Sequence, residues 1–167
     1  VNEEVWFKKW FEEQGYTVSQ PNSIFEGAGD ALYLNEHLIT GYGFRSEKRP
    51  IDQDSIDVKL IDSRFYHLDT CFCPLNNGDF LIFANAFSVS DFESIKKVGN
   101  HCISVPEEEA LNFACNSVLV DENVILMPKD CPFTSKTLKE MGYEVFELDM
   151  SEFLKSGGAC KCLSLKI

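Results

Sequence analysis

The sequence has little positive charge and no long apolar stretch. Lysine and arginine number 15 against 27 acidic residues, a net charge of −12 in 167 residues. Nucleic-acid binding needs a basic surface, so this balance argues against a nucleic-acid partner. It is compatible with a small cationic substrate, and equally with a surface charged for solubility. No run reaches membrane-spanning length and no signal-peptide pattern opens the sequence, which predicts no membrane partner and a cytoplasmic location.

An even set of cysteines, typical of a disulfide framework, is also missing. The seven cysteines are an odd number, which fits reduced thiols better. Cys71/Cys73 and Cys160/Cys162 could be zinc ligands, but zinc sites usually space cysteines by two to four residues. Each pair also lies in an alternating segment that predicts a strand with both thiols on one face. Zinc is therefore the less favoured alternative, and we predict no metal and no cofactor.

The composition predicts one domain over residues 1–167. Hydrophobic residues make up 44% of the sequence and charged residues 25%, which is ordinary for a globular protein with a real core. The sequence opens on a helical pattern over residues 1–14 that Gly15 ends, and no strand precedes it. We expect this domain to be the C-terminal portion of a longer chain.

A unit of about 40 residues recurs along the sequence. Segments predicted to be strands follow helical or polar segments and centre near Val18, Val58, Ile103 and Val145, at spacings of 40, 45 and 42 residues. A period in this range indicates a repeat architecture. Hairpins are predicted over 31–42, 65–84 and 117–127, and helices over 92–98, 107–113 and 135–141. The segment 47–55 stands where the first unit should have a helix, but Pro50 makes that helix doubtful.

The repeat predicts a mixed α/β fold of β-β-α-β units arranged in a ring. The alternating segment 161–167 is typical of a strand that begins one more unit. Radial repeats protect their strand edges by closing the ring. Three nearly complete units with open ends therefore predict a ring that lacks about one N-terminal unit.

Candidate catalytic residues fall at comparable places in successive units. Glu26 and Asp30 precede the first hairpin, His67 stands in the second, and Cys162 follows Gly157 and Gly158. A thiol is mostly protonated at neutral pH, and as a nucleophile it needs a base such as histidine with a carboxylate to orient it. Strand alternation would place His67 and Asp69 on one face.

Each residue also has a structural interpretation. His67 could be a buried core histidine, Glu26 and Asp30 could cap a glycine-rich turn, and Cys162 could be a small buried apolar residue. Arg45 could be a surface arginine, or a clamp for a carboxylate. Their coincidence in one repeat favours function.

Four segments in order resemble the guanidino-group-modifying enzymes of the pentein fold, which include arginine deiminases, dimethylarginine dimethylaminohydrolases and glycine amidinotransferases. They are FEGAGD (25–30), GYGFRS (41–46), HLDT (67–70) and SGGACKCLSL (156–165). The resemblance covers nearly the whole chain and implies a five-bladed propeller of β-β-α-β units around a central active site. Relative to the family, about one N-terminal unit is missing, which predicts either a fragment or a chain completed by a companion segment or by oligomerisation.

The resemblance also implies catalytic roles. Cys162 corresponds to the nucleophile, with Cys160 as the second choice, and His67 to the acid–base residue. Glu26 corresponds to the carboxylate that supports the histidine. The segment here carries one residue more than the usual pattern, which leaves Asp30 as a possible substitute.

Substrate contacts follow from the same resemblance. Asp69 corresponds to the acid that grips the guanidinium, and Arg45 to the arginine that holds the substrate carboxylate. Ser156 falls where a backbone group contacts the substrate. The implied reaction is cysteine-dependent hydrolysis of arginine or a derivative through a covalent thiouronium intermediate. Amidino transfer to an amine and a non-catalytic binding protein on the same fold are the alternatives.

Overall fold

The computed structural model describes residues 3–48 and 55–165, which form three three-stranded sheets with five α-helices. The helices are α1 (Glu3–Glu13), α2 (Val89–Val98), α3 (Glu107–Leu111), α4 (Pro132–Glu140) and α5 (Ser151–Leu154). The strands are β1 (Ala31–Leu34), β2 (His37–Tyr42), β3 (Ile56–Lys59), β4 (Phe72–Pro74), β5 (Phe80–Ile82), β6 (Cys102–Ser104), β7 (Val118–Asp121), β8 (Val124–Pro128) and β9 (Glu144–Leu148). Within the described residues, no helix has the length and apolar character needed to cross a bilayer.

The three sheets share one topology. In each, the first two strands form an antiparallel hairpin and the third pairs in parallel with the second. The parallel partner requires a crossover, which α2 supplies between β5 and β6 and α4 supplies between β8 and β9. The predicted β-β-α-β unit is confirmed in the second and third sheets. In the first, most of the segment 47–55 lies outside the described residues.

Local sequence signals fix where the crossover helices begin. The Ser88 hydroxyl caps α2 by accepting from the backbone amide of Asp91 at 3.2 Å. α4 begins with Pro132, and the buried carboxylate of Glu109 accepts from the backbone amides of Phe133 and Thr134 at 2.6 and 2.9 Å. A side chain of the preceding helix therefore caps α4, which links the two helices.

The core contains buried side chains from all three sheets. Its largest fully buried side chains come mainly from the second unit: Phe65, Leu68, Phe72, Phe80, Leu81 and Ile82. Burying a side chain of this size stabilises the fold by about 1.5–3 kcal/mol. The turn that carries the predicted histidine and acid is thus anchored in the most tightly packed part of the molecule.

The strand predicted at Tyr16–Val18 is wrong, because these residues form irregular chain after a turn at residues 14–15. In the second and third sheets the closing strand pairs with a hairpin that precedes the helix. Among the described residues, no strand pairs with this segment. α1 itself lies within the predicted 1–14, and none of its described side chains is fully buried.

Two further strand predictions are wrong for one physical reason. Leu68–Thr70 forms a 3₁₀ turn, so strand alternation does not explain how His67 and Asp69 are placed. Lys161–Leu163 also forms a 3₁₀ turn, and Ser164 and Leu165 are irregular. The rest of the predicted strand 161–167 lies outside the described residues. In both turns, a backbone amide donates to a side chain distant in sequence, Leu68 to Asp30 and Cys162 to Asn116. These bonds hold the backbone away from an extended form.

Candidate active site

Glu26 lies between two basic side chains at one edge of the candidate site. Its Oε2 is 2.7 Å from Nε2 of His67, and its two oxygens accept from Nε of Arg45 at 3.1 and 3.0 Å. Burial raises the pKa of the Glu26 carboxyl, but the hydrogen bonds and charges of Arg45 and His67 outweigh it, and the net pKa is lowered. Glu26 is therefore an anion at neutral pH that orients the imidazole.

Asp30 supports this edge from inside the protein and is fully buried. Its Oδ2 accepts from the hydroxyl of Ser46 at 2.6 Å, and its Oδ1 accepts from the backbone amide of Leu68 at 2.8 Å. The Ser46 hydroxyl in turn accepts from the backbone amide of Glu26 at 3.0 Å. Both carboxylate oxygens are thus engaged within the protein, which favours a positioning role. The substrate-binding role of Asp30 stays a prediction.

Tyr66 connects the histidine to the glycine pair. Its hydroxyl donates to the carbonyl of Gly157, its ring lies 5.0 Å from the His67 ring, and the Arg45 guanidinium lies 5.6 Å from its centroid. Gly157 has φ +82°, and a Cβ there would lie 2.6 Å from the Tyr66 hydroxyl, so the position requires glycine. Ser156 is exposed in the same turn, and its predicted backbone contact with substrate stays a prediction.

Asp69 and Cys162 meet at the other edge of the site. Asp69 is only 4% exposed, and its buried Oδ1 has no hydrogen-bond partner within the described part of the chain. Its Oδ2 lies 3.9 Å from Sγ of Cys162. Burial raises the pKa of Asp69 to about 7, against the opposing charges of His67 and Lys161. Burial and then the charge of Asp69 raise the pKa of the Cys162 thiol.

The Asp69 carboxylate lacks a cationic partner for its unpaired oxygen. An unpaired buried carboxylate is costly, and it disfavours ionisation of a thiol beside it. A cation placed between Asp69 and Cys162 would satisfy the free oxygen and favour the thiolate. The site therefore favours binding of a cationic group next to the thiol of Cys162.

The chain is similar to known enzymes along nearly its whole length, although no protein-family model matches it. It is 44% identical over 99% of its length to the bifunctional arginine dihydrolase/ornithine cyclodeaminase AgrE of Nostoc sp., of which it covers 25%. It is 32% identical over 96% of its length to N(G),N(G)-dimethylarginine dimethylaminohydrolase of Mycobacterium tuberculosis, of which it covers 55%. The crystal structure of the product-bound N-terminal domain of the cyanobacterial arginine dihydrolase ArgZ matches with a TM-score of 0.91 at 45% identity, over 98% of this chain and 64% of that one. The chain belongs to the guanidino-group-modifying superfamily.

The pentein fold of that superfamily is confirmed as well. A dimethylarginine dimethylaminohydrolase crystal structure at 24% identity shares the fold with a TM-score of 0.75, over 96% of this chain and 65% of that one. The present chain spans between a quarter and two thirds of the length of these relatives. Its three sheets are therefore three units of a pentein propeller.

Within this pentein, the two neighbouring cysteines differ in environment. Cys162 is an exposed residue with a partly buried thiol, whereas Cys160 is buried and its burial raises the pKa of the thiol to about 11. A nucleophile needs both access and ionisation, which favours Cys162. Cys71 and Cys73 are buried in the core, and within the described residues no group of three or more potential ligands could hold a metal ion. The absence of a metal and of a cofactor stays a prediction.

Sequence reasoning missed two residues that connect the site, Tyr66 and Asn116. Asn116 is fully buried just before β7, and its side chain bonds to both the Cys162 turn and the backbone of Asp69. Two adjacent polar residues between apolar segments, Asn116 and Ser117 in ACNSVLV (114–120), were the available signal. Such a residue must find buried partners, although the sequence does not show which ones.

Proposed function

We propose that the protein is a cysteine-dependent hydrolase of a guanidino compound, arginine or a close derivative. The observation that carries the proposal is the free, buried Oδ1 of Asp69 beside a thiol 3.9 Å from the other oxygen of the same carboxylate. A guanidinium is planar and cationic and presents paired N–H donors that match a carboxylate. With Asp69 bound to its nitrogens, the electrophilic carbon of the guanidinium lies next to the sulfur of Cys162.

The remaining residues complete substrate binding. Arg45 is half exposed, and Glu26 engages its Nε, so its terminal nitrogens are the groups proposed to bind a substrate carboxylate. Ser156 is proposed to contribute a backbone contact. Asp30 is proposed to hold the Glu26 and His67 turns in place, rather than to bind substrate, because both of its oxygens are engaged.

The reaction proceeds in two proposed stages. His67 takes the proton of the Cys162 thiol, and the thiolate attacks the central guanidinium carbon. The carbon–nitrogen bond then breaks as the protonated His67 gives that proton to the departing ammonia or amine. The carbon remains attached to sulfur as a thiouronium. His67 then takes a proton from water, the hydroxide adds to that carbon, and the carbon–sulfur bond breaks to release a ureido product. Glu26 stabilises the imidazolium in both stages through its 2.7 Å contact.

The known relatives support this chemistry. Crystal structures of the N-terminal domain of ArgZ include a cysteine-to-serine mutant bound to substrate and another mutant covalently bound to a reaction intermediate. Each matches this chain at 45% identity, with TM-scores of 0.92 and 0.91. This chain covers 65% of the crystallised chain of the cysteine mutant and 64% of that of the other mutant.

The test is a substrate screen with the full-length natural protein. Arginine, mono- and dimethylarginines and agmatine are assayed for release of ammonia or amine and for a ureido product. We expect turnover of one of them that disappears in Cys162→Ser and persists in Cys102→Ser, whose exposed thiol lies on β6. Transfer of the amidino group to glycine or ornithine without ureido product would instead identify a transferase, and no turnover of any guanidino compound would contradict both.

We further propose that one more β-β-α-β segment of the same protein completes the ring. Trp6 and Phe7 of α1 are 70% and 57% exposed. A cleft of about 430 Å³ is lined by residues of all three sheets, among them Leu32, Phe72 and Leu119, and by Asp69. Exposed apolar surface of this kind marks an interface. Since Asp69 lines the cleft, the added segment would also close the guanidinium site.

The two tryptophans of the sequence test this proposal because both lie in α1. We expect their fluorescence emission to be blue-shifted in the full-length protein relative to the 167-residue chain expressed alone. The shift should not depend on protein concentration. Emission typical of water-exposed tryptophan in the full-length protein would contradict the proposal. A blue shift that appears with dimerisation, followed by light scattering, would assign the cover to a second copy instead.

We also propose a reducing, cytoplasmic location. All seven cysteines are free in the structure, and structural disulfides are rare in that compartment. A thiol titration of the unreduced, denatured protein isolated from its source should count seven thiols per 167-residue domain. Fewer thiols would contradict the proposal.

A further inference from the structure

Asn116 makes an unusual number of contacts with the active-site turns. Its side chain is completely buried. Oδ1 accepts from the backbone amides of Ala159 at 3.1 Å and Cys162 at 3.3 Å, and Nδ2 donates to the backbone carbonyl of Asp69 at 3.1 Å. Its own backbone carbonyl accepts from the amide of Lys161 at 3.0 Å. One residue thus joins the turn of the nucleophile to the turn of the guanidinium-binding acid.

The orientation of the Asn116 amide is imposed by its neighbours. Two backbone N–H donors, of Ala159 and Cys162, face one end of the side chain, and only an oxygen can satisfy both. A flipped amide would set an NH₂ group against two donors and leave the carbonyl of Asp69 without this bond. Because the residue is buried, either loss would cost the full desolvation of the polar groups. Asn116 therefore has one conformation, and that conformation fixes both turns.

The same contacts explain why the segment after the glycine pair is a turn. Two amides of this segment point to one side-chain oxygen and a third points to the Asn116 backbone. This winds residues Lys161–Leu163 into a 3₁₀ turn instead of a strand. The turn sets the direction of the Cys162 side chain relative to Asp69, which lies 93 residues earlier in the sequence.

We propose that Asn116 is a positioning residue that sets the distance between the nucleophile Cys162 and the guanidinium-binding Asp69. This inference rests on the proposed function, since it assumes that the two residues act on one substrate. Displacing a reacting group by about 1 Å can cost about 100-fold in rate. A single buried amide that bonds to both turns is the arrangement that resists such a displacement.

The Asn116 side chain also affects the pKa values of Cys162 and Asp69. Burial is the main influence on Cys162 and Asp69 and raises both pKa values, whereas the nearby Asn116 side chain lowers each of them. Its hydrogen bonds run to the backbone of the two residues. The other charged groups that act on Asp69 include His67, Lys161 and Asp30. None of these three is a neutral amide donor, so the contribution of Asn116 can be separated from theirs by substitution.

Two substitutions separate positioning from folding. Asn116→Asp keeps an acceptor for the two backbone amides but removes the neutral donor, and Asn116→Leu keeps the volume but removes both. The control is Asn112→Asp, the same change at a half-buried residue that donates to the carbonyl of Asp130 at 3.2 Å, outside the site. Melting temperatures are measured for all three full-length variants.

The first readout needs no substrate. Alkylation of each thiol by iodoacetamide is followed against pH by mass spectrometry, with exposed Cys102 as the internal reference. We expect the midpoint at Cys162 to rise by about one pH unit or more in both Asn116 variants, while Cys102 and the Asn112 variant stay unchanged. This measurement stands even if no guanidino compound is turned over, so its failure is distinguishable from failure of the proposed function.

The second readout is kinetic. With the substrate that the screen identifies, we expect kcat to fall about 100-fold in Asn116→Leu and KM to change much less. Unchanged alkylation and kcat in a variant that melts within a few degrees of the unmodified protein would overturn the proposal. Loss of the folded state in both Asn116 variants would also overturn it, because Asn116 would then serve the fold rather than the site.

Discussion

The two edges of the active site contain the same chemical group in opposite surroundings. At one edge, Glu26 is partly exposed and lies between His67 and Arg45, and the pKa of its carboxyl is lowered. At the other edge, Asp69 is buried, one of its oxygens is unpaired, and its pKa is raised to about 7. The Glu26 carboxylate is paired within the protein without a ligand, whereas the Asp69 carboxylate keeps one oxygen unpaired.

This difference separates the parts of the site by task. A paired carboxylate is suited to hold an imidazole in a fixed orientation, because its charge and geometry do not change when substrate arrives. An unpaired buried carboxylate stores an unfavourable free energy that a cationic ligand relieves. Binding at the Asp69 edge should therefore be the step that prepares Cys162. Each substitution below disturbs one edge and not the other, except that of Arg45.

The largest expected effect is at Cys162. Replacing it by serine should lower kcat/KM by about 10⁴-fold or more, because the nucleophile is removed. The melting temperature should hardly change, since the side chain is exposed. The matched control Cys102→Ser should keep its activity within about twofold, as expected for a surface site. More than a tenth of the activity remaining in Cys162→Ser, or a larger loss in Cys160→Ser, would move the nucleophile to Cys160.

The next effect is at the paired edge. His67→Asn should lower kcat by about 10²–10⁴-fold, the usual contribution of a general acid–base group. Glu26→Gln should lower it less, because the imidazole remains but loses its anionic partner. Glu36→Gln in the turn between β1 and β2 is the control, and steady-state kinetics is the measurement. A Glu26→Gln variant with unchanged kcat would show that the pair does not act in the reaction.

Much of the fold could be predicted because it depends on local signals that recur. Asn35 and Glu36 between two short apolar runs predict the β1–β2 hairpin, and spacings of 40–45 residues predict three of the closing strands. The β-β-α-β order then follows from the need for a crossover between parallel strands. These features depend on residues near one another in the sequence.

The predictions that are wrong concern backbone that distant side chains hold. The alternating pattern predicts a strand at Lys161–Leu163, but Asn116 binds its amides from 46 residues earlier. The amide of Leu68 is likewise bound by Asp30 from 38 residues earlier, at the start of the 3₁₀ turn that carries Asp69. Residue types and their resemblance to a family indicate the candidates. Only the packed structure shows that Asp69 is unpaired and Glu26 is not.

The unpaired edge should make stability depend on pH. The pKa of Asp69 is about 7 when folded, against an ordinary value of 3.8. The folded state therefore binds more protons across this window, and the free energy of unfolding should fall as pH rises from about 4 to 7, by up to a few kcal/mol. Asp69→Asn should remove this part of the slope.

Urea denaturation between pH 5 and 8 measures that difference. The control is Asp149→Asn, because the exposed Asp149 has a pKa lowered to about 2, mainly by hydrogen bonds from Ser151, and it does not titrate between pH 5 and 8. Arginine added to the unmodified protein should reduce the slope, since the cation pairs with Asp69. Equal slopes for the unmodified protein and Asp69→Asn would contradict the assignment of Asp69 as the unpaired acid.

The smallest expected effect is at Arg45, which bonds to Glu26 and is also proposed to bind the substrate carboxylate. If its terminal nitrogens bind the substrate carboxylate, Arg45→Gln should raise KM for arginine by about 10-fold, as expected when a charge-assisted hydrogen bond is lost. The KM for agmatine, which lacks that carboxylate, should hardly change. Arg64→Gln is the control, because Arg64 pairs with Asp62 and Glu107 at the surface. If kcat instead falls equally for both substrates, Arg45 acts by holding Glu26 against His67, and the paired edge requires all three residues.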